Sequence, residues 1–165
     1  MSYSKKIVYF GADGASGYAN AAKGYIYDLI ESGHDVYFAT LSGAPVKDTT
    51  SFYKYFNAKL KKLPVFKKSE KLDGADVVIH FTPDIWNQVI QSHKEWIGNK
   101  KIIGRTVWDF DPIPDKWVKE INDSIVNVVS VPSQWCKDVF INSGVKKEVI
   151  VEAHTIPPIS YEKYS

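Results

Sequence analysis

Short apolar runs alternate along this chain with segments whose apolar residues recur at helical spacing, and that alternation is the feature that most limits its fold. Lys6 to Phe10 is an apolar run that meets Gly11. Ala22, Tyr25, Ile26, Leu29 and Ile30 then follow a helical period that Gly33 ends, as glycine commonly does past a helix. Asp35 to Thr40 is a second strand pattern, and Asp76 to Phe81 is nearly continuous apolar sequence, suited to a parallel strand covered on both faces. Ile85, Trp86, Val89, Ile90, His93 and Ile97 predict one helix. Lys101 to Val107 predicts a strand, and Trp117, Val118 and Ile121 mark a short helix begun near Pro114. Val126 to Val131 is a strand, Ser133 a helix cap, Phe140 lies near that helix's end, and Gly144 closes it. Val149 to Val151 is the last strand. Repeated strand–helix–strand order implies an α/β domain, with a parallel sheet covered by helices on both faces.

The 165 residues, 44% of them hydrophobic, suit one domain spanning 1–165 and are too few for two of full size. A lone cysteine, Cys136, excludes an internal disulfide and lies on an apolar helix face, where burial is expected rather than nucleophilic use. No apolar run approaches a membrane span. Met1 to Lys6 leads straight into a strand without the long apolar core of a signal peptide, so a cytoplasmic location is expected.

The net charge is +2, but eight lysines against Asp48 and Glu70 give residues 44–72 a local balance of +6, leaving −4 elsewhere. Within that stretch Phe52, Tyr55, Phe56 and Leu60 recur at helical spacing, with Lys54, Lys61 and Lys62 on the other side. One reading is a basic amphipathic helix touching anionic lipid through residues 47–68. The other is a surface helix with its aromatic face in the core. No nucleic-acid motif accompanies the charge, so no nucleic-acid partner is expected.

Ligands of open parallel sheets bind beyond the carboxyl ends of the strands, which narrows the candidate positions. In the first loop, Gly11-Ala-Asp-Gly14-Ala-Ser16-Gly17, glycines let backbone amides approach an anion at a helix N-terminus. A phosphate or diphosphate fits there, and a turn that merely uses positive φ is the alternative. Trp108, Asp109, Phe110 and Asp111 follow the fifth strand. Carboxylates that accept from sugar hydroxyls and an aromatic that packs on sugar C–H faces suit a sugar. Equally, Asp111 can cap the next helix and Trp108 can belong to the core. Asp109 and Asp111 are also the candidate catalytic carboxylates. His80 ends the fourth strand, as a cleft residue or as a structural one. No cluster has metal-ligand spacing, so no metal is expected.

The glycine spacing is shared with short-chain NAD(P) oxidoreductases, and Tyr55 with Lys59 forms a Tyr-x-x-x-Lys pair. Against that rival, the second strand ends Phe38-Ala39-Thr40-Leu41, with no charge to meet a ribose or its 2′-phosphate.

Ser16-Gly17-Tyr18-Ala19, a helix, and then Glu31-Ser-Gly33-His34-Asp35-Val36 resemble the opening of GT-B type retaining glycosyltransferases (glycosyltransferase group 1, or family 4-like). Asp76-Val-Val-Ile-His80 is similar to that family's fourth strand. Thr106-Val-Trp108-Asp109 with Ile113-Pro114-x-x-Trp117 resembles a subgroup. Val131-Pro132-Ser133-x-Trp135, then Phe140-x-x-Ser143-Gly144-Val145, matches its Val-Pro-Ser strand–helix signature, and Val149 to His154 matches its last N-terminal strand. The likeness covers essentially the whole chain. It differs in that Ser16-Gly17 stands for paired glycines, Trp108-Asp109 occupies the region of a common histidine, and no two glutamates have the Glu-x7-Glu spacing.

What the resemblance implies is the Rossmann-like, acceptor-side half of a GT-B architecture, whose nucleotide-sugar domain lies outside this chain. Gly14, Ser16, Gly17 and Tyr18 would approach the donor diphosphate. His80, Thr106, Trp108, Asp109, Asp111 and Ser133 would line the acceptor side. The resemblance implies no bound cofactor, the nucleotide sugar being a substrate. The expected partners are a C-terminal donor-binding domain, in cis or in trans, and a sugar, glycan or lipid acceptor. A non-catalytic Rossmann-like adaptor is the first alternative function, and an NAD(P)-binding oxidoreductase fragment the second.

Overall fold

A computed structural model describes residues 4–42, 56, 61–62 and 72–156. Its strands are β1 (Lys6–Phe10), β2 (Asp35–Ala39), β3 (Lys61–Lys62), β4 (Asp76–His80), β5 (Ile102–Arg105), β6 (Val128–Val131) and β7 (Glu148–Val151). The helices are α1 (Gly17–Glu31), α2 (Pro83–Ser92), α3 (Lys94–Ile97), α4 (Asp115–Asp123) and α5 (Gln134–Asn142). The strands lie in the order β3-β2-β1-β4-β5-β6-β7. Every pairing is parallel. The fold is α/β and Rossmann-like, as the alternating pattern predicts.

Alternation along β1 explains why the strands read as unbroken apolar runs. Val8 and Phe10 face one core, with Trp86, Val89 and Ile90 of α2, Trp117 and Ile121 of α4, and Val139 and Phe140 of α5. Ile7 and Tyr9 face the other, with Ala22, Tyr25 and Ile26 of α1. Both faces are covered by helices, so the central strands are apolar along most of their length. The buried polar residues His80, Arg105 and Ser130 fall toward the carboxyl ends of β4, β5 and β6. Gly104 in β5 lets the fully buried Trp86 lie on the sheet, because a Cβ there would sit 2.5 Å from its ring.

Three local expectations are corrected. The helix drawn from Ile85 to Ile97 is two helices, broken at His93 (φ −125°, ψ 18°). There the imidazole stacks on Phe10, with centroids 5.1 Å apart, and the short α3 returns Ile97 to the core. Lys61 and Lys62 do not continue a basic helix but extend the sheet, pairing with Tyr37 and Phe38. Asp111 does not cap α4, whose N-cap position is Pro114 with no side-chain cap. Of the aromatic face in the lysine-rich stretch, Phe56 is buried in the α1-side core, while Phe52, Tyr55 and Leu60 lie outside the described residues. Most of segment 47–68, with Lys59 of the dehydrogenase-like pair, lies outside them too. Among the described residues no helix is long and apolar enough to cross a membrane.

Candidate functional site

β1 has β2 on one side and β4 on the other, and the chain departs to the two sides in turn. Such a reversal is where open α/β sheets hold the crevice that binds ligands, here beyond the carboxyl ends of β1 and β4. The loop after β1 forms one wall. Ser16 caps α1, its Oγ accepting from the amide of Ala19 at 3.2 Å, so the first-turn amides point out of the helix with their partial positive charge. Gly14 and Gly17 are exposed, a Cβ at either would meet nothing within 4 Å, and neither has the left-handed φ of Gly33, Gly74, Gly98 and Gly144. That removes the positive-φ account of these two glycines. Among the described residues, neither the backbone nor the packing requires them.

The next residue, Tyr18, crosses the crevice. Its hydroxyl lies 3.1 Å from Oγ1 of the buried Thr106, just past β5, and its ring tilts against His80 with centroids 5.3 Å apart. Burial raises the Tyr18 phenol, and the Asp84 and Asp109 carboxylates push the same way. Four residues from three separate stretches of the sequence therefore share one site: Tyr18, His80, and Thr106 with Asp109.

Behind them lies a charged cluster that spacing alone does not reveal. Arg105, 6% exposed, donates through Nε to Ser130 Oγ at 3.2 Å and through an Nη to the Glu152 carboxylate. Ser130 adds a 2.5 Å bond to that carboxylate. The guanidinium carbon sits 3.6 Å from the centre of the Tyr25 ring, a close cation–π contact. Tyr25 in turn donates to the Glu152 carbonyl at 2.7 Å and meets His154 Nδ1 at 3.2 Å. Tyr9 bonds His80 Nδ1 at 2.7 Å and is pushed far up by burial. His80 is driven down to about 3 by burial, then by the charges of Arg105 and His154, so it is neutral at physiological pH. Glu152 is held low, because Arg105 and the Ser130 hydroxyl outweigh the burial that opposes them.

Asp109 and Asp111 are exposed, with Phe110 between them at 68% exposure. Asp109 reaches Tyr18, Cys136 and His154 electrostatically. Trp108 is half-buried and packs edge-on against Trp117 at 4.8 Å and Phe110 at 5.6 Å, while its indole donates to the Pro112 carbonyl. The core reading of Trp108 thus holds for the ring, and Phe110 is the exposed aromatic of this loop. Ser133 caps α5 through the Cys136 amide at 3.1 Å, as the sequence predicts. Cys136 is buried and its thiol raised by that burial.

No family model matches this chain, and no curated protein matches it either.

Among the described residues, no three His, Cys, Asp or Glu side chains gather so as to hold a metal ion. A shallow depression lined by Gly74, Asp76, Asn99 and Lys101 lies at the amino ends of β4 and β5, opposite the crevice. Arg105, Glu152, Tyr25 and His154 are the residues a reading of strand ends misses. The available signal was an arginine and a glutamate ending apolar strands of the same sheet.

Proposed function

We propose that this domain is the acceptor-side half of a glycosyltransferase of GT-B type, which works with a second, nucleotide-sugar-binding Rossmann-like domain. The observation that carries the reading is the 3.1 Å contact of Tyr18 with Thr106. It joins the loop assigned to the donor diphosphate with the wall assigned to the acceptor. The open glycines Gly14 and Gly17 beside a capped helix N-terminus add support, since such a loop suits an anionic diphosphate. Exposed Asp109 and Asp111, flanking Phe110, supply acceptors and an apolar face for a sugar.

In this reading the domain contributes positioning. It orients an acceptor hydroxyl beside Tyr18, Thr106 and Asp109, while the missing half of the donor site comes from the partner domain. The uncharged end of β2 offers no carboxylate for the ribose of a dinucleotide and no cation for a 2′-phosphate, which disfavours the oxidoreductase.

The test is a titration of the ¹⁵N-labelled chain with UDP-, GDP- and ADP-hexoses and, separately, with NAD(P). Saturable shifts of the amides of residues 14–18 by a nucleotide sugar support the reading. Tight NAD(P) binding at those amides, or multiple-turnover sugar transfer by this chain without a partner domain, overturns it.

A further inference from the structure

Two imidazoles flank Arg105, and the hydrogen bonds around them determine which nitrogen of each carries the proton. The Tyr9 phenol has one hydrogen. Arg105, which can only donate, faces the Tyr9 oxygen. That oxygen therefore turns its lone pairs to the guanidinium and its hydrogen to His80 Nδ1, 2.7 Å away. An accepting Nδ1 on a neutral ring leaves the proton on Nε2.

His154 is the reverse case. Tyr25 gives its single hydrogen to the Glu152 carbonyl at 2.7 Å, since a carbonyl cannot donate. Toward His154 Nδ1, 3.2 Å away, the same oxygen can only accept. Nδ1 of His154 therefore carries the proton, and burial and Arg105 keep the ring from taking a second one, against the opposing pull of Asp109. Among the described residues neither Nε2 has a hydrogen-bond partner. The two rings are close enough that His154 lowers the proton affinity of His80.

We propose that His80 and His154 read a hydroxyl group of a neutral ligand, His80 donating from Nε2–H and His154 accepting at Nε2. This rests on the reading of the crevice as an acceptor site and names what it recognises there. A hydroxyl both accepts and donates, so it satisfies both nitrogens. A phosphate satisfies His80 alone and meets the lone pair of His154, where the Asp109 carboxylate also acts. The ligand class is a polyhydroxylated, uncharged compound.

The experiment is NMR of the chain labelled with ¹⁵N-histidine, where ring-nitrogen shifts report the tautomer. The four histidines are assigned with single His→Gln variants. At pH 7 we expect Nε2–H for His80 and Nδ1–H for His154. Tyr9→Phe should release the first alone and Tyr25→Phe the second alone. The wild-type tautomers are read without either substitution, so a variant that fails to fold leaves the test intact. Titration with methyl glucoside, galactoside and mannoside should shift both Nε2 signals saturably for at least one of them, and inorganic phosphate should leave His154 unmoved. The same tautomer on both rings, an imidazolium on either, no response to any glycoside, or an equal response of His154 to phosphate overturns the proposal. If glycosides act while nucleotide sugars leave residues 14–18 unmoved, the glycosyltransferase reading fails and this one stands.

Discussion

The backbone oxygen of Thr155 lies 2.0 Å from where Gly24 would carry a Cβ, so the chain leaving β7 rests on the glycine of a helix. Glycine in a helix interior costs about 1 kcal/mol relative to alanine, and here it makes room for a backbone. Gly24→Ala should therefore lower stability despite the better helix propensity. Displacing residues 153–155 also breaks the Tyr25 bonds to Glu152 and His154, each contributing about 1 kcal/mol. We expect a lower urea midpoint and at least tenfold faster amide exchange after Glu152. A raised midpoint would show that the segment is not seated there.

The Arg105–Glu152 pair is asymmetric, with side-chain exposures of 8% and 43%. Removing one partner of a fully buried pair costs about 3–5 kcal/mol. The exposed carboxylate is partly screened, so Glu152→Gln should cost about 1–2 kcal/mol. Replacing the cation as well, in Arg105→Met with Glu152→Gln, should recover part of that loss, because no uncompensated charge is left inside. A double-mutant cycle in urea checks this. Additive losses would mean that the pair is not coupled.

The depressed His80 imparts a pH dependence of known sign. Its folded pKa, about 3, lies below the unfolded value of 6.5, so the unfolded chain binds more protons between those limits. The stability contributed by neutral His80 is complete above pH 6.5 and is lost as pH falls toward 3. The slope it adds is at most about 1.4 kcal/mol per pH unit. His93 and His154, also lowered, act in the same direction, and Glu152 adds its own loss below its ordinary range. Melting curves from pH 7 to pH 4 should fall steeply, and less steeply in His80→Gln. Equal slopes would place the titration elsewhere.

The strands were legible because parallel strands covered on both faces admit no polar alternation, so Asp76 to His80 reads as nearly unbroken apolar sequence. The break at His93 was not legible, since Ile97 continues the apolar period across it. His80, Thr106 and Asp109 fall where a positional rule about strand ends looks, whereas Tyr18 entered only through the family resemblance. Arg105 and Glu152, 47 positions apart, were not, because only the strand order brings them together. Long-range pairing of charges leaves no local spacing to recognise.

Gly14 and Gly17 allow the ligand reading of the first loop to be separated from stability. Neither has positive φ, and neither would bury a Cβ against anything. Gly14→Ala and Gly17→Ala should therefore leave the fold intact. Gly17 opens α1, so alanine there should stabilise by up to about 1 kcal/mol through helix propensity and reduced unfolded-state entropy. If the loop receives a diphosphate, the added methyl groups stand where its oxygens must approach the amides. Affinity for the nucleotide sugar that shifts residues 14–18 should then fall at least tenfold, while the melting temperature holds or rises. Opposite movement of stability and affinity is what an external ligand predicts, since a structural glycine moves both together. Unchanged affinity in both variants, read by calorimetric titration beside thermal melts, would remove the diphosphate from this loop.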